Sequence, residues 1–136
     1  MAEERVGMVI EQLRRCLETG DWDGLAQVYA VDALLDANVP LWRFQRKGLE
    51  EITAQYRDWY PHQVRILAWT VTPTGYGAVL EQADQAGDGD DQTYSRSLHL
   101  LHVEGDRIVR HVLYCTGQWD RPTVERQALE APVYET

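Results

Sequence analysis

The sequence predicts an α+β fold, and three observations carry that prediction. Apolar residues recur at three- and four-residue steps up to Tyr60. From Val64 onward the period falls to two and β-branched residues become frequent. Turn-forming clusters then punctuate the chain at Pro73-Thr74-Gly75, Ala86-Gly87-Asp88-Gly89-Asp90-Asp91 and Glu104-Gly105-Asp106. Helices followed by hairpin-linked strands is the order of an α+β fold with an antiparallel sheet. The 136 residues allow one domain with one core.

Each element has its own local reason. A first helix is predicted over 3–19, because Val6, Val9, Ile10, Leu13, Cys16 and Leu17 form one stripe. Gly20 supplies its stop. Asp21 is a natural N-cap for a second, short helix over 22–30, which turns Trp22, Leu25 and Tyr29 to one side. A short strand is expected over 33–38, and 39–47 reads as a long connecting loop. Gly48 opens a third helix to Tyr60, with Leu49, Ile52, Tyr56 and Trp59 on one face, and Pro61 stops it. Strands follow over 64–72 and 76–85, then a hairpin of 93–103 with 107–116. Residues 1–120 make the domain. Residues 121–136 form a tail with a short helix near 124–129.

Composition narrows the function classes. Twenty-two acidic against thirteen basic residues leave a net charge of −9, which argues against nucleic acid or an anionic membrane as partner. No apolar run approaches the roughly 18 residues of a membrane span. The start, Met1-Ala2-Glu3-Glu4, lacks the basic stretch of a secretory signal. A cytoplasmic location is therefore expected, with Cys16 and Cys115 as free thiols. Four scattered His without paired Cys give no zinc signature, and no metal or other cofactor is expected. The acidic surplus is assigned to exterior places: Glu3, Glu4, Glu11 and Glu18 on the first helix, and Asp84, Asp88, Asp90 and Asp91 around the acidic loop.

Strand parity sorts the candidate site residues. Pairing Val103 with Arg107 places His99 opposite His111 and Leu101 opposite Val109. One face then carries Ser95, Ser97, His99, Leu101, Val103, Val109, His111, Leu113 and Cys115. The other carries Tyr94, Arg96, Leu98, Leu100, His102, Ile108, Arg110, Val112 and Tyr114. The first face is apolar, with two histidines and no permanent charge, which suits a pocket wall. His99 and His111 then form an acid/base pair whose titrations are pushed apart, or else two packed, hydrogen-bonded rings. Glu81 lies mid-strand: turned inward it becomes a usable acid or base through desolvation, turned outward it is solvated. Asp36 and Asn38 share a parity and can point the same way. Tyr29, Tyr56 and Trp59 are core or pocket aromatics. Trp42 and Phe44 sit in the expected loop, where two large apolar side chains need something to pack on and are placed at the pocket mouth.

The segments Gly20-Asp21-Trp22-Asp23-Gly24-Leu25, Tyr29-Ala30-Val31-Asp32-Ala33, the Gly48 helix start and Gly105-Asp106-Arg107-Ile108-Val109 running into Tyr114 resemble the nuclear transport factor 2-like superfamily. That superfamily includes SnoaL-like polyketide cyclases, ketosteroid isomerase and limonene epoxide hydrolase, and the resemblance covers about residues 5–120. It implies a cone-shaped fold, three N-terminal helices on a strongly curved sheet, a pocket between them, and dimerisation through the outer sheet face. It places His99 near the oxyanion-stabilising acid of the isomerase and His111 near a pocket aromatic of the hydrolase. An ungapped match puts Ala37 at the isomerase's base. Matching Asn38-Val39-Pro40 to the hydrolase's Asn-x-Pro instead puts Asp36 and Asn38 at its water-holding positions. The second register is favoured, and a slip of one residue reverses the face. The hydrolase's Asp-Arg-Asp set is missing: Glu81, Ala83 and Leu113 stand in its place.

Two functions from different classes are expected. One is a cofactor-free acid/base cyclase, isomerase or hydrolase acting on a hydrophobic polyketide-, steroid- or terpene-like molecule, with catalytic Asp36, Glu81, His99 and His111. Tyr29, Asn38, Trp42, Phe44, Tyr56, Trp59, Ser97, Leu101 and Leu113 would bind the substrate. The other is a non-catalytic small-molecule-binding or dimerisation module. A homodimer is expected through Leu98, Leu100, Val112 and Tyr114.

Overall fold

A computed structural model describes residues 2–61 and 63–135. Helix α1 spans Ala2–Thr19 and buries Val9, Ile10, Leu13, Cys16 and Leu17, the stripe the heptad-like spacing predicts. Gly20, at φ +73°, ends it by returning its amide to the Cys16 carbonyl.

The expected second α-helix is instead a five-residue 3-10 turn, Asp23–Gln27. The Asp21 carboxylate accepts the Gly24 amide at 3.1 Å, so the capping residue does its work, but the helix does not propagate. Tyr29 already belongs to a strand. Strand β1 runs Tyr29–Val39 and is longer than the 33–38 expected. The third expected helix is α2, Leu49–Trp59, which buries Ile52, Gln55 and Tyr56. The α+β class holds, but with two N-terminal α-helices and a 3-10 turn in place of three helices.

The expected 39–47 loop is also replaced. Residues Trp42–Lys47 form strand β2, antiparallel to β1 through a tight turn at Pro40-Leu41. Trp42, Phe44 and Arg46 alternate with Arg43, Gln45 and Lys47, a period of two that a half-exposed edge strand requires. The Arg46 guanidinium lies over the Phe44 ring at 4.6 Å.

The remaining strands are β3 Val64–Pro73, β4 Gly77–Ala86, β5 Thr93–Glu104, β6 Arg107–Cys115 and a short β7 Trp119–Asp120. The sheet order is β2-β1-β6-β5-β4-β3, with β7 beside β5. Only the β1–β6 pairing is parallel among these strands. The C-terminal helix α3 spans Arg121–Glu130, beginning earlier than the expected 124–129 because Asp120 caps the Thr123 amide at 2.9 Å and Pro122 sits in the first turn.

The β5–β6 register differs from the sequence expectation. Glu104 pairs with Arg107 and Val103 with Ile108, but His102 then pairs with Arg110, which leaves Val109 as the extra residue of a bulge. The bulge turns Ile108 fully into the core, whereas plain alternation put it outside. Beyond the bulge the alternation resumes, with Leu101 opposite His111 and His99 opposite Leu113. His99 and His111 are therefore diagonal neighbours on one face rather than opposite each other.

Helices α1 and α2 cover that face. Leu13 and Leu17 from α1 and Ile52 and Tyr56 from α2 share one core cluster with Leu35, Ala37, Leu80, Leu101, Ile108 and Leu113 of the sheet. On the opposite face Leu98, Leu100 and Tyr114 are exposed.

Candidate functional site

Between this sheet face and the two helices lies a cavity of about 200 Å³. Leu13 and Leu17 of α1, Tyr56 and Trp59 of α2, and Leu113 give it an apolar lining. A polar row crosses the lining on β4 and β5: Gln82, Ser95, Ser97 and His99. Asp58, Gly117 and Gln118 are further lining residues, Asp58 and Gln118 being exposed to solvent. Gly117 has φ +76°, and a Cβ there would stand 2.9 Å from Pro40, so glycine lets the chain leave β6 beside the β1–β2 turn.

The polar row continues inward as a chain of hydrogen bonds. Ser97 Oγ lies 2.8 Å from His99 Nε2, and His99 Nδ1 lies 2.7 Å from His111 Nε2. His111 Nδ1 is 2.7 Å from Tyr29 Oη, which is 2.6 Å from Tyr56 Oη. His111 is fully buried, and its ring stacks on that of Tyr29 at 11° between planes. Desolvation holds the His99 imidazole down at about 4, and burial together with the neighbouring His99 holds His111 well below its ordinary value. Both rings are neutral at pH 7. Burial pushes the Tyr29 and Tyr56 phenols well above their ordinary range.

At the other end of the row stands Asp84, 3% exposed. It pairs with Ser95 across the β4–β5 ladder, and its carboxylate accepts the Ser95 hydroxyl at 2.9 Å and the Gln82 amide at 2.7 Å. Burial raises its pKa, opposed by those two hydrogen bonds. Burial and the Asp84 charge also hold the Tyr60 phenol high.

The structure brings together His99, Ser97, Tyr56, Trp59 and Leu113 on the cavity wall, with His111 and Tyr29 directly behind. Leu101 is buried in the core and is not part of the lining. Phe44 packs on Trp59 at 6.0 Å instead of closing the cavity, and Trp42, 71% exposed, lies on the edge strand away from it.

Three orientations are corrected. Asp36 alternates with Leu35 and Ala37, which enter the core, so its carboxylate emerges on the opposite face. There Arg43 binds it in a fork at 2.9 and 2.8 Å, and Arg110 approaches to 3.9 Å. The Arg43 hydrogen bond holds its pKa below the ordinary carboxylate value. Asn38 shares that parity and donates to the Leu113 carbonyl at 3.1 Å. Glu81 is exposed, because Leu80 and Gln82 on either side take the inner positions.

Asp84, which its place beside the acidic loop assigns to the exterior, is instead buried in β4. Its signal in the sequence is parity: Leu80, Gln82 and Asp84 alternate with Glu81 and Ala83, and a hairpin closed over 87–92 sets Asp84 against Ser95.

An α+β domain with a helix-covered sheet face, an apolar cavity open to solvent near Asp58 and Gln118 and a polar row on its wall has the form of a pocket. The family model for the SnoaL-like domain matches residues 10–111, and the chain belongs to that family, within the nuclear transport factor 2-like superfamily. No curated protein matches the sequence. Among solved structures, a proposed isomerase from Bacillus subtilis superposes with a TM-score of 0.70 at 14% identity, covering 85% of this chain and 89% of that one. A protein of the nuclear transport factor 2-like class from Anabaena variabilis gives 0.67 at 18%, covering 85% and 90%. IdmH, a proposed polyketide cyclase from Streptomyces antibioticus, gives 0.65 at 16%, covering 90% and 96%. Identities this low establish a common fold. Among the described residues no helix is long and apolar enough to cross a membrane.

Proposed function

We propose that the protein binds a small, largely apolar oxygenated molecule in this cavity and moves a proton on it, as an isomerase or cyclase does. The observation that carries this reading is the Asp84 carboxylate, buried directly behind the cavity-lining Gln82 and Ser95 with its pKa raised by that burial. A base is most effective when its pKa lies near the working pH, and desolvation moves a carboxylate in that direction. Ser97, backed by His99, is the donor for oxygen charge that develops as the proton leaves carbon. Asp84 and Ser97 stand two residues apart in the ladder, about 7 Å along the strands at roughly 3.4 Å per residue. That spacing suits a C–H at one end and a carbonyl oxygen at the other. The cavity, about 200 Å³, exceeds the roughly 150 Å³ that takes benzene. It holds one substituted ring, and further rings would extend past Asp58 and Gln118.

The test is deuterium exchange at the α-carbon of ring ketones in heavy water, followed by proton NMR. Wild-type protein is expected to accelerate exchange, and Asp84→Asn to lose most of that acceleration. Ketone binding without exchange above the buffer rate would make the protein a carrier rather than a catalyst.

Two copies are further expected to associate through the outer sheet face, where Leu98, Leu100 and Tyr114 are 38, 41 and 50% exposed. Several apolar side chains on one exposed strand pair are the usual mark of an association surface.

A further inference from the structure

We infer that Ser97, His99, His111, Tyr29 and Tyr56 act as one two-state switch of hydrogen-bond polarity, which lets the cavity hold the same ligand oxygen as a carbonyl or as a hydroxyl. The ligand class this selects is an enolisable ketone and its enol. The inference rests on the cavity being the small-molecule site.

The argument is one of proton counting. Four junctions, each 2.6–2.8 Å long, join the five residues, and each junction takes one proton. A neutral imidazole carries one N–H and one lone pair. If His99 holds its proton on Nδ1, then His111 Nε2 must accept it and His111 must carry its own proton on Nδ1. Tyr29 then accepts from His111 and donates to Tyr56, and Ser97 donates to His99 Nε2. In the reverse arrangement Tyr56 donates to Tyr29, Tyr29 to His111 Nδ1, His111 Nε2–H to His99 Nδ1, and His99 Nε2–H to Ser97. Any mixed arrangement sets two hydrogens or two lone pairs face to face, or has Tyr29 accept from both neighbours and leaves its own buried hydrogen without an acceptor, in each case at the cost of an unmade hydrogen bond.

The two arrangements differ in what Ser97 offers the cavity. In the first its hydroxyl is committed to His99 and its oxygen accepts from the ligand. In the second it accepts from His99 and donates to the ligand. Conversion moves one proton across every junction. One proton enters at one end of the chain and one leaves at the other, exchanged with water or a ligand hydroxyl in the cavity that both Ser97 and Tyr56 line. The chain stays neutral throughout. A ketone oxygen that becomes an enol hydroxyl therefore keeps its partner, with no ionised histidine.

The experiment uses protein labelled with ¹⁵N in histidine, whose ring shifts report which nitrogen is protonated. Two ring probes serve: cyclohex-2-enone, which only accepts, and pyrrole, which only donates. Cyclohex-2-enone is expected to move His99 and His111 together to the Nε2–H form, and pyrrole to move both to Nδ1–H. In Tyr56→Phe the Tyr29 hydroxyl has only His111 to donate to, so both rings should stay Nε2–H with either probe. Shifts of the Leu113 methyls report occupancy independently. If those methyls move while the two rings show unlike tautomers, or pyrrole flips both rings in Tyr56→Phe as readily as in wild type, the switch is overturned and the cavity reading stands. If neither probe moves the methyls at saturation, the cavity reading falls and the switch with it.

Discussion

The Asp84 carboxylate accepts the Ser95 hydroxyl at 2.9 Å across the β4–β5 ladder, and the pair closes one end of the polar row whose other end is His99. This places a buried acid directly behind the cavity-lining Gln82 and Ser95, and its consequences for rate and stability have opposite signs. Burial raises the Asp84 pKa, so the carboxylate needed as a base forms only as pH rises through that raised value. Exchange activity should climb with pH there, and Asp84→Asn should lose about 10²–10⁴-fold. A folded pKa above the unfolded one gives stability that is full below the unfolded value and lost as pH rises through the folded one. Asp84→Asn, which keeps the site uncharged, should therefore melt at or above the wild-type temperature at pH 7. At pH 4 it should gain less or nothing. Calorimetric melts at the two pH values check this, and a variant clearly less stable at pH 7 would count against a desolvated carboxylate.

The histidine pair has the opposite sign. The folded value for His99 is depressed to about 4 from 6.5, and His111 also lies well below its ordinary value. Their neutral forms contribute stability that is present above pH 6.5 and lost as pH falls below it, because the unfolded chain takes up protons that the folded chain refuses. Between pH 6.5 and 4 the loss from His99 alone is about 3 kcal/mol, at about 1.4 kcal/mol per pH unit. Urea titrations should show stability falling across this window. His99→Gln should flatten the fall, while reducing stability at pH 7 by leaving His111 Nε2 without its ring partner.

Asp36 separates two registers of β1 that differ by one residue. With Leu35 and Ala37 in the core, Asp36 meets Arg43 on the outer face and takes no part in the cavity. The Arg43 side chain is 61% exposed and that of Asp36 6%, so the guanidinium is solvated while the carboxylate is buried beneath it. Asp36→Ala should leave exchange activity unchanged and cost about 1–3 kcal/mol, through the loss of two charge-assisted hydrogen bonds. A hundredfold loss of activity would restore Asp36 to the site.

Much of the fold is legible in the sequence, and the failures share a physical cause. The stripe of α1, the β-hairpins and the face shared by Ser97, His99, His111 and Leu113 follow from spacing alone. Local period cannot decide which parity of β1 faces inward, because Asp36 and Asn38 alternate with small or apolar residues that suit either face, and only pairing with β2 and β6 settles it. Glu81 and Asp84 exchange places for a related reason. A charged residue in mid-strand looks like a site residue, and one beside a turn looks solvated, yet the β4–β5 register sends Asp84 inward and Glu81 out. Val109 could not be read as a bulge, since no glycine or proline marks it.

The outer face makes the last prediction. Leu98 and Leu100 on β5 and Tyr114 on β6 point away from the cavity, and each is partly exposed in the single chain. Association through them would cover apolar surface without touching the polar row, because strand alternation puts the two sets on opposite faces. Light scattering should therefore give a dimer mass for the wild type at micromolar concentration. Leu100→Glu should shift it toward monomer by setting an unpaired charge against the partner, while cyclohex-2-enone still moves the Leu113 methyls. A wild-type protein that remains monomeric at high concentration would exclude this face as a self-association surface. Loss of ring binding in a folded Leu100→Glu monomer would mean that the cavity depends on the partner for its shape.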